Sequence, residues 1–387
     1  MRSGFVTTFQ RFSAWLVAGA IVLGALAGLI YLIADALFTH NADFRRWYNV
    51  VRAQPYRYEG IQPVYLETDP ASLIALPDAE AVAAKRAAVT RAVFGRPDLP
   101  REARPDVIER AIDPRGVAAL APYGDPAVVA TVDRLSVIVD EAFTAKAYLL
   151  HPLRPNGRLF AYQQGYAGTI DKAAGLLRPL LERGYTVLAL NYVGYGESAV
   201  HRRLYPGHGV FVPGREHFLF DPLPLRRYLL PMVAGLNQAM EDLGVGQADL
   251  GGISAGGWVT VVTAAMDERI RRSYPMAGAY PLYLQQLDHH PPTEEQYYPP
   301  LVQAADYLEL FVLGAVGRGR GQVQFFGQYD RCCQNNRLSE LYAPAVRAAV
   351  DRLGGFFYTH INDKSPDHRI NEDYIALILG DLDALDK

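Results

Sequence analysis

The segment 252–256 reads GISAG and matches the pattern G-x-S-x-G, with Ser254 at its centre. In this pattern the serine lies on a sharp turn between a strand and a helix, and its hydroxyl is exposed there. Gly252 and Gly256 suit such a turn because the flanking backbones approach closely. The preceding letters QADLG can form the strand and the following letters GWVTVV the helix. We therefore predict that Ser254 is a nucleophile; the alternative is a glycine-rich turn with an idle serine.

A serine hydroxyl becomes a good nucleophile only when a neighbouring base removes its proton, and that base needs a carboxylate to fix its tautomer. After a G-x-S-x-G turn of this kind, the acid and then the histidine follow along the chain. Asp330 ends the predicted strand QVQFFGQYD. His368 lies in the polar loop KSPDHRI, after the last predicted strand and before the terminal helix. We predict Asp330 as the acid and His368 as the base.

Other residues compete for these roles. His360 lies in the apolar run FFYTHIN, which favours a buried histidine within a strand. Asp363 and Asp367 are too close in sequence to either histidine to orient its ring. Three further acidic residues lie in an irregular insertion: Asp288, Glu294 and Glu295.

Two backbone amides are needed to stabilise the oxyanion that forms when an acyl group is attacked. The amide of Ala255, directly after the proposed nucleophile, is one candidate. The second candidate is the amide of Tyr166 in the loop QQGYAG, where Gly165 would let the chain turn tightly. An ordinary glycine turn remains the alternative for this loop.

From about Val132 onward, short β-branched runs alternate with helical stretches. This alternation predicts an α/β fold with a mostly parallel, doubly wound sheet that helices cover on both faces. The principal strands are predicted at 158–165, 185–192, 248–254, 273–278, 322–330 and 355–362.

Three features together resemble the α/β-hydrolase superfamily: the turn at Ser254, the QQGY loop, and the segment NYVGYGES that begins at Asn191. The resemblance covers about 132–387 and is closest to bacterial acetyl-xylan-esterase-like esterases. It implies hydrolysis of an ester, thioester or amide through an acyl-serine, without a metal or organic cofactor. Gln164 stands where many members have histidine, and Asn191 replaces the common aspartate, so substrate preference does not transfer.

Residues 12–34 form a stretch of 23 residues without a charge. As a helix it would be about 34 Å long, enough to cross the hydrocarbon core of a bilayer. We predict a short basic tail at 1–11 and an uncleaved transmembrane anchor at 12–34. A cleaved signal peptide, ending near Ala34-Asp35-Ala36, and a buried helix of a soluble protein are the alternatives. The tail predicts a single-pass protein whose catalytic domain is periplasmic or extracellular.

Proline is frequent between residues 35 and 131, which we interpret as an N-terminal extension with one helix from Asp78 to Phe94. The catalytic domain is predicted at 132–387. Residues 281–310 interrupt its alternation of strands and helices, and form either a cap over the site or a surface loop.

The net charge of −3, without a basic stripe, argues against nucleic acid as a partner. Cys332 and Cys333 lack C-x-x-C spacing, which argues against a zinc site and leaves a disulfide between neighbours or two inert thiols. The sequence thus predicts a serine carboxylic-ester hydrolase of the cell envelope, acting on a small-molecule, lipid or glycan ester. An acyltransferase or peptidase with the same triad, or a catalytically inactive membrane-tethered scaffold, are the alternatives.

Overall fold

The structure is a computed structural model that describes residues 3–53, 60–285 and 293–386. Its strands are β1 (Val107–Glu109), β2 (Val129–Asp140), β3 (Phe143–Pro152), β4 (Leu159–Gln163), β5 (Thr186–Leu190), β6 (Arg203–Tyr205), β7 (Gly209–Phe211), β8 (Ala248–Ile253), β9 (Ile270–Met276), β10 (Gly321–Gly327) and β11 (Phe357–Asn362). Its α-helices are α1 (Ser3–His40), α2 (Ala42–Ala53), α3 (Ala79–Phe94), α4 (Ala174–Glu182), α5 (Arg215–Phe218), α6 (Arg226–Leu243), α7 (Ala255–Met266), α8 (Pro299–Ala304), α9 (Tyr307–Ala315), α10 (Ser339–Leu353) and α11 (Glu372–Leu385).

Within the described residues, nine strands form one sheet in the order β1-β2-β3-β5-β4-β8-β9-β10-β11, and β6 pairs with β7 in a separate hairpin. The pairs from β5 through β4, β8, β9 and β10 to β11 are all parallel. The pairs β1–β2, β2–β3 and β3–β5 are antiparallel. The carboxyl ends of the parallel strands therefore meet at one edge of the sheet, and the loops that follow them can share a site.

Strand β4 shows why the sheet is covered on both faces. Leu159 and Ala161 belong to one buried cluster, and Phe160 and Tyr162 belong to another. Because successive side chains of a strand point to opposite faces, each cluster marks one face of the sheet. Helices α3, α6, α7, α9 and α10 contribute to the first cluster, and α4 and α11 to the second. The predicted α/β fold with a mostly parallel, two-sided sheet is confirmed.

The helices predicted from local sequence patterns are largely present in the structure. Helix α7 contains the segment GWVTVV, where a helix was predicted after Ser254. Helix α3 begins where the Asp78 side chain accepts a hydrogen bond from the amide of Ala81 at 2.9 Å. It ends at Gly95, whose φ of 74° lies in the left-handed region that glycine favours. Some strand boundaries were wrong. Strand β9 covers Ile270–Met276 and not 273–278. Strand β10 ends at Gly327, so Asp330 lies in the following loop and not at the end of the strand. The chain turns there because the amide of Asp330 bonds to the carbonyl of Gly327 at 3.2 Å.

Helix α1 contains a candidate membrane span, Val17–Phe38, of 22 residues with a mean hydropathy of 2.4. None of its most apolar window is buried in the protein, so the interpretation as a core helix of a soluble protein was wrong. A membrane anchor and a signal sequence both remain compatible with the helix.

Helix α2 packs against the loop between β11 and α11. Asn49 is fully buried, and its amide nitrogen donates to the carbonyl of Asp363 at 2.8 Å. Arg45 and Arg52 form ion pairs with Asp363 and Asp367, at 3.3 and 3.5 Å. The segment that follows the candidate span thus contacts the loop that carries His368.

Candidate active site

Ser254 occupies the turn between β8 and α7 in a conformation that residues with a side chain rarely adopt. Its φ is 58° and its ψ is −127°, which costs on the order of 1–3 kcal/mol for such a residue. Two backbone hydrogen bonds hold the turn: the Ser254 amide donates to Met276 at 2.8 Å, and its carbonyl accepts from Trp258 at 3.0 Å. A strand-to-helix turn of this shape presents the serine hydroxyl at the carboxyl edge of the sheet.

Three glycines allow the turn and the loop after β4 to touch. A Cβ atom on Gly256 would lie 2.1 Å from the carbonyl oxygen of Gln163, and one on Gly252 would lie 2.4 Å from that of Gly256. A Cβ atom on Gly165 would lie 2.5 Å from the carbonyl oxygen of Ile253. These contacts are with backbone atoms, which cannot move aside as a flexible side chain can. The two loops are therefore in backbone contact on both sides of Ser254.

The explanation that the sequence suggested for Gly165 was wrong. Gly165 does not have a left-handed φ, and the residue of the loop that does is Ala167, with φ 56°. Glycine is needed at 165 because the turn at Ser254 lies against it. Gln164 is buried. Its side-chain oxygen accepts a hydrogen bond from the hydroxyl of Tyr162. Its backbone amide donates to the backbone carbonyl of Leu190 at 2.9 Å.

His368 and Asp330 are hydrogen-bonded to each other, with 2.7 Å between Nδ1 and Oδ2. Asp330 is only 4% exposed. Its second oxygen, Oδ1, accepts the backbone amide of Cys332 at 2.7 Å. Both carboxylate oxygens are therefore engaged, so the carboxylate is fixed and the histidine ring is oriented by it. Because Nδ1 is used in this way, Nε2 is the ring atom available to a nucleophile or substrate.

The loops that carry the acid and the base are joined by their backbones. The amide of Arg331 donates to the carbonyl of Pro366 at 3.1 Å, and its guanidinium pairs with Asp367 at 2.8 Å. The side chain of Asn362 accepts the amides of Lys364 at 3.1 Å and of Ser365 at 3.2 Å, which folds the second loop back on itself. The distance between Asp330 and His368 is thus set by a short chain of hydrogen bonds.

A cavity of about 570 Å³ opens where these loops meet, and Ser254, His368 and Tyr166 all line it. Ala255 follows Ser254 at the start of α7 and is buried. The structure therefore brings the predicted nucleophile, base and oxyanion loop to one cavity, with Asp330 behind the base. Sequence reasoning missed two exposed basic residues that line the same cavity, Lys172 and Arg369. No local motif marks either of them.

The ring of Tyr166 is packed from two sides. It contacts Tyr192 at 4.5 Å between ring centroids, and the guanidinium of Arg215 lies over it at 4.3 Å. Arg215 begins α5, in the long insertion between β5 and α6 that also contains the β6–β7 hairpin. The aromatic stretch in this insertion is visible in the sequence, but the contact of Arg215 with the loop is not. Asn191 has a structural role, since its side-chain oxygen accepts the amide of Ile170 at 2.9 Å.

The competing residues have other surroundings. His360 lies in β11, where its ring contacts Phe325 and Tyr374, each at 6.0 Å, and burial lowers its pKa. Glu295 is buried and accepts the hydroxyl of Tyr192 at 2.8 Å. Asp288 lies outside the described residues, as does the part 286–292 of the segment 281–310 that was interpreted as a cap or a surface loop.

The charge state of His368 depends on Asp330. Burial lowers the pKa of the imidazole, but the negative charge of Asp330 and its hydrogen bond raise it, with a smaller contribution from Cys332. The net effect raises the pKa of His368 to about 9.

Cys332 and Cys333 are unbridged, and their thiols lie beside the acid and the base. The two sulfur atoms and one ring nitrogen of His368 all lie within 4.8 Å of one another. Thiolate and imidazole are ligands that soft transition metals prefer. Within the described residues, Cys332, Cys333 and His368 are therefore the group that could bind such an ion.

Comparisons with known proteins agree with this architecture. A family model described as alpha/beta hydrolase fold matches residues 160–345. The chain has the α/β-hydrolase fold. It is similar to acetyl xylan esterase 1 from a Thermoanaerobacterium species, with 14% identity, a TM-score of 0.53, and coverage of 84% of this chain and 99% of that one. It is also similar to glucuronoyl esterase from Solibacter usitatus, with 15% identity, a TM-score of 0.53, and coverage of 82% and 98%. A search of curated proteins finds no match.

We predict that Gly256→Ala disrupts the turn at Ser254. The added methyl group would overlap the backbone of Gln163, so the turn and the loop after β4 must separate. We expect a loss of stability of about 1–3 kcal/mol, the usual cost of overpacking, together with a large loss of ester hydrolysis. Thermal unfolding and turnover by the same sample would measure both. Gly246→Ala is the matched control, because nothing lies within 4 Å of its added methyl group; equal effects of the two substitutions would contradict the prediction.

We also predict the pH dependence of catalysis. A histidine acts as a base only when it is neutral, so kcat/KM should be low below the pKa of His368 and rise through it. The midpoint of this rise should lie above the ordinary 6.5, towards about 9. In Asp330→Asn the charge that raises the pKa is gone while burial remains, so the midpoint should move to lower pH. Asp351→Asn, at an exposed position of α10, should leave it in place. A wild-type midpoint at or below 6.5 would contradict the assignment.

Proposed function

We propose that this protein is a serine hydrolase that cleaves carboxylic esters through an acyl-serine intermediate. The observation that carries the proposal is the hydrogen bond of 2.7 Å between His368 and Asp330, beside a cavity that Ser254 and His368 both line. The unusual backbone of Ser254 supports it, because strain of this kind persists where the surrounding structure enforces it and is common at catalytic sites. The structural neighbours with the same fold are esterases, which supports ester hydrolysis in general.

In this mechanism Ser254 Oγ attacks the ester carbonyl carbon while Nε2 of His368 accepts the hydroxyl proton. Asp330 keeps the proton of Nδ1 in place and stabilises the imidazolium that forms. The oxyanion develops beside the N-terminus of α7, where the amides of Ala255 and Tyr166 are the proposed donors. The intermediate then expels the alcohol, which takes the proton from Nε2. A water molecule, deprotonated by the same nitrogen, attacks the acyl group and releases the acid and free Ser254.

We further propose that the enzyme is tethered to a membrane through α1, with its catalytic domain on the periplasmic or extracellular side. The exposed apolar span in α1 supports the tether. The orientation follows from the tendency of a short basic tail to stay in the cytoplasm; the count of basic residues barely separates the two sides, because two arginines precede the span and three follow it. Only Asn41 separates α1 from α2, and α2 contacts the loop of His368. The site therefore lies close to the point where the chain would leave the bilayer, which suits an ester in or near the membrane or the envelope glycan.

We propose that the catalytic domain comprises residues 132–387 together with β1 and the start of β2, because both strands belong to the same sheet. The remaining part of residues 35–131 is proposed as an extension that is packed onto this domain. Helix α3 of the extension contributes Val82, Val89 and Val93 to the same buried cluster as α7 and α9. Its Arg86 donates hydrogen bonds to the carbonyls of Ala265 and Leu313. The extension is therefore expected to be needed for the stability of the catalytic domain.

The test is ester turnover by the full chain in detergent, across a panel that varies the acyl and alcohol groups. We expect Ser254→Ala and His368→Ala each to lower kcat by on the order of 10⁴–10⁶, as in serine hydrolases generally, because the two groups act as a unit. His360→Ala is the matched control: it removes a histidine of the neighbouring strand, and should change stability more than turnover. Loss of turnover in folded His360→Ala with retention in His368→Ala would contradict the assignment of the base.

A further inference from the structure

Cys332 and Cys333 are the only cysteines of the chain, and both lie in the loop between β10 and α10, directly after Asp330. Their sulfur atoms are 2.6 Å apart and unbridged. The proposed hydrolysis uses neither thiol. Two adjacent thiols in contact have one obvious shared chemistry, which is reversible oxidation to a disulfide.

The pair touches the catalytic groups directly. Cys333 Sγ lies 3.8 Å from Nε2 and 3.9 Å from Nδ1 of His368. On the backbone side, Asp330 Oδ1 accepts the amide of Cys332 at 2.7 Å and that of Cys333 at 3.4 Å, while Oδ2 holds His368. One carboxylate thus connects the peptide groups of the two cysteines to the histidine.

A bond between the two sulfurs would close a small ring that contains the peptide between Cys332 and Cys333. Neighbouring Cα atoms stay about 3.8 Å apart across a trans peptide, which is closer than the about 4.4–6.8 Å that is usual for a disulfide. The ring is therefore strained, and we expect this strain to distort the peptide on oxidation. The amide of Cys333 belongs to that peptide, and the amide of Cys332 belongs to the peptide before it. Both amides donate to Oδ1 of Asp330. Oxidation should consequently shift the carboxylate that orients His368.

The hydrogen bond within the pair runs from Cys333 Sγ to Cys332 Sγ. A thiol that donates in this way stabilises negative charge on the accepting sulfur, which favours Cys332 as the attacking thiolate and Cys333 as the thiol that reacts second. Both residues are partly accessible to solvent, so a small oxidant can reach the pair.

We propose that Cys332 and Cys333 form a redox modification site in which a hydroperoxide converts the two thiols to a disulfide and thereby lowers hydrolase activity reversibly. The thiolate of Cys332 attacks one oxygen of the hydroperoxide ROOH, forms a sulfenic acid and displaces RO⁻, which takes up a proton as ROH. Cys333 Sγ then attacks the sulfur of Cys332 and releases water. In sum the two thiols lose two hydrogen atoms, and the hydroperoxide is reduced to ROH and water.

The test treats the full chain in detergent with hydrogen peroxide, and follows intact mass, free thiols and ester turnover in the same samples. We expect the mass to fall by two hydrogen atoms, both thiols to disappear, and kcat/KM to fall by on the order of 10²-fold, the effect of misplacing a catalytic group by about 1 Å. Dithiothreitol should restore mass, thiols and activity together. Because the chain has no other cysteine, every thiol signal reports on this pair.

Cys332→Ser and Cys333→Ser are the matched controls, each compared with its own untreated activity. Neither can form the disulfide. Cys332→Ser lacks the attacking thiolate, so peroxide should leave its turnover unchanged, whereas Cys333→Ser should gain an oxygen atom at Cys332 without forming a disulfide. A disulfide that forms in the wild type without loss of turnover would overturn the inference, as would overoxidation without a disulfide, or equal inactivation of both serine variants.

The inference rests on the proposed function only for its activity readout. Disulfide formation is measured by mass and thiol content, which do not depend on catalysis. Absence of ester turnover in the reduced wild type would count against the hydrolase assignment, whereas an active reduced enzyme that is unaffected by a confirmed disulfide would count against the redox site alone.

Discussion

The backbone contact between the turn at Ser254 and the loop after β4 determines the geometry of the whole site. Glycine at 256 and at 165 lets each segment lie against a carbonyl group of the other, with no room for a side chain between them. This contact places the amides of Ala255 and Tyr166 on neighbouring segments beside the serine. The positive φ of Ser254 persists because the turn is enclosed on all sides: by the loop after β4, by the central strands and by the fully buried helix α7.

The proposed acid and base depend on a second contact, between the loop after β10 and the loop after β11. Backbone hydrogen bonds join the loop after β10 to the loop after β11, and Asp330 links the amide of Cys332 to the ring of His368. Helix α2 adds a contact from the N-terminal part of the chain. We therefore expect a change that moves one of these loops, such as oxidation of the thiols or displacement of α2, to move the histidine as well.

The sequence alone predicted the α/β fold, the turn at Ser254 and the pairing of Asp330 with His368, because each depends on local patterns and a fixed order along the chain. It misplaced the end of β10, since the polar and apolar letters do not reveal the turn at Gly327. It gave the wrong reason for Gly165, because a close approach between distant segments leaves no local signature. The contacts of α2 with the base loop and of Arg215 with Tyr166 are long-range and depend on assembled packing.

If Ser254 is an activated nucleophile, an electrophile that mimics the acyl group should react with it covalently. The full chain would be treated with a fluorophosphonate, digested, and analysed by mass spectrometry to locate the adduct. We expect one adduct, on Ser254, that forms rapidly in the wild type, slowly in Asp330→Asn and not at all in Ser254→Ala. A folded protein that forms no adduct, or an adduct on another residue that persists in Ser254→Ala, would contradict it.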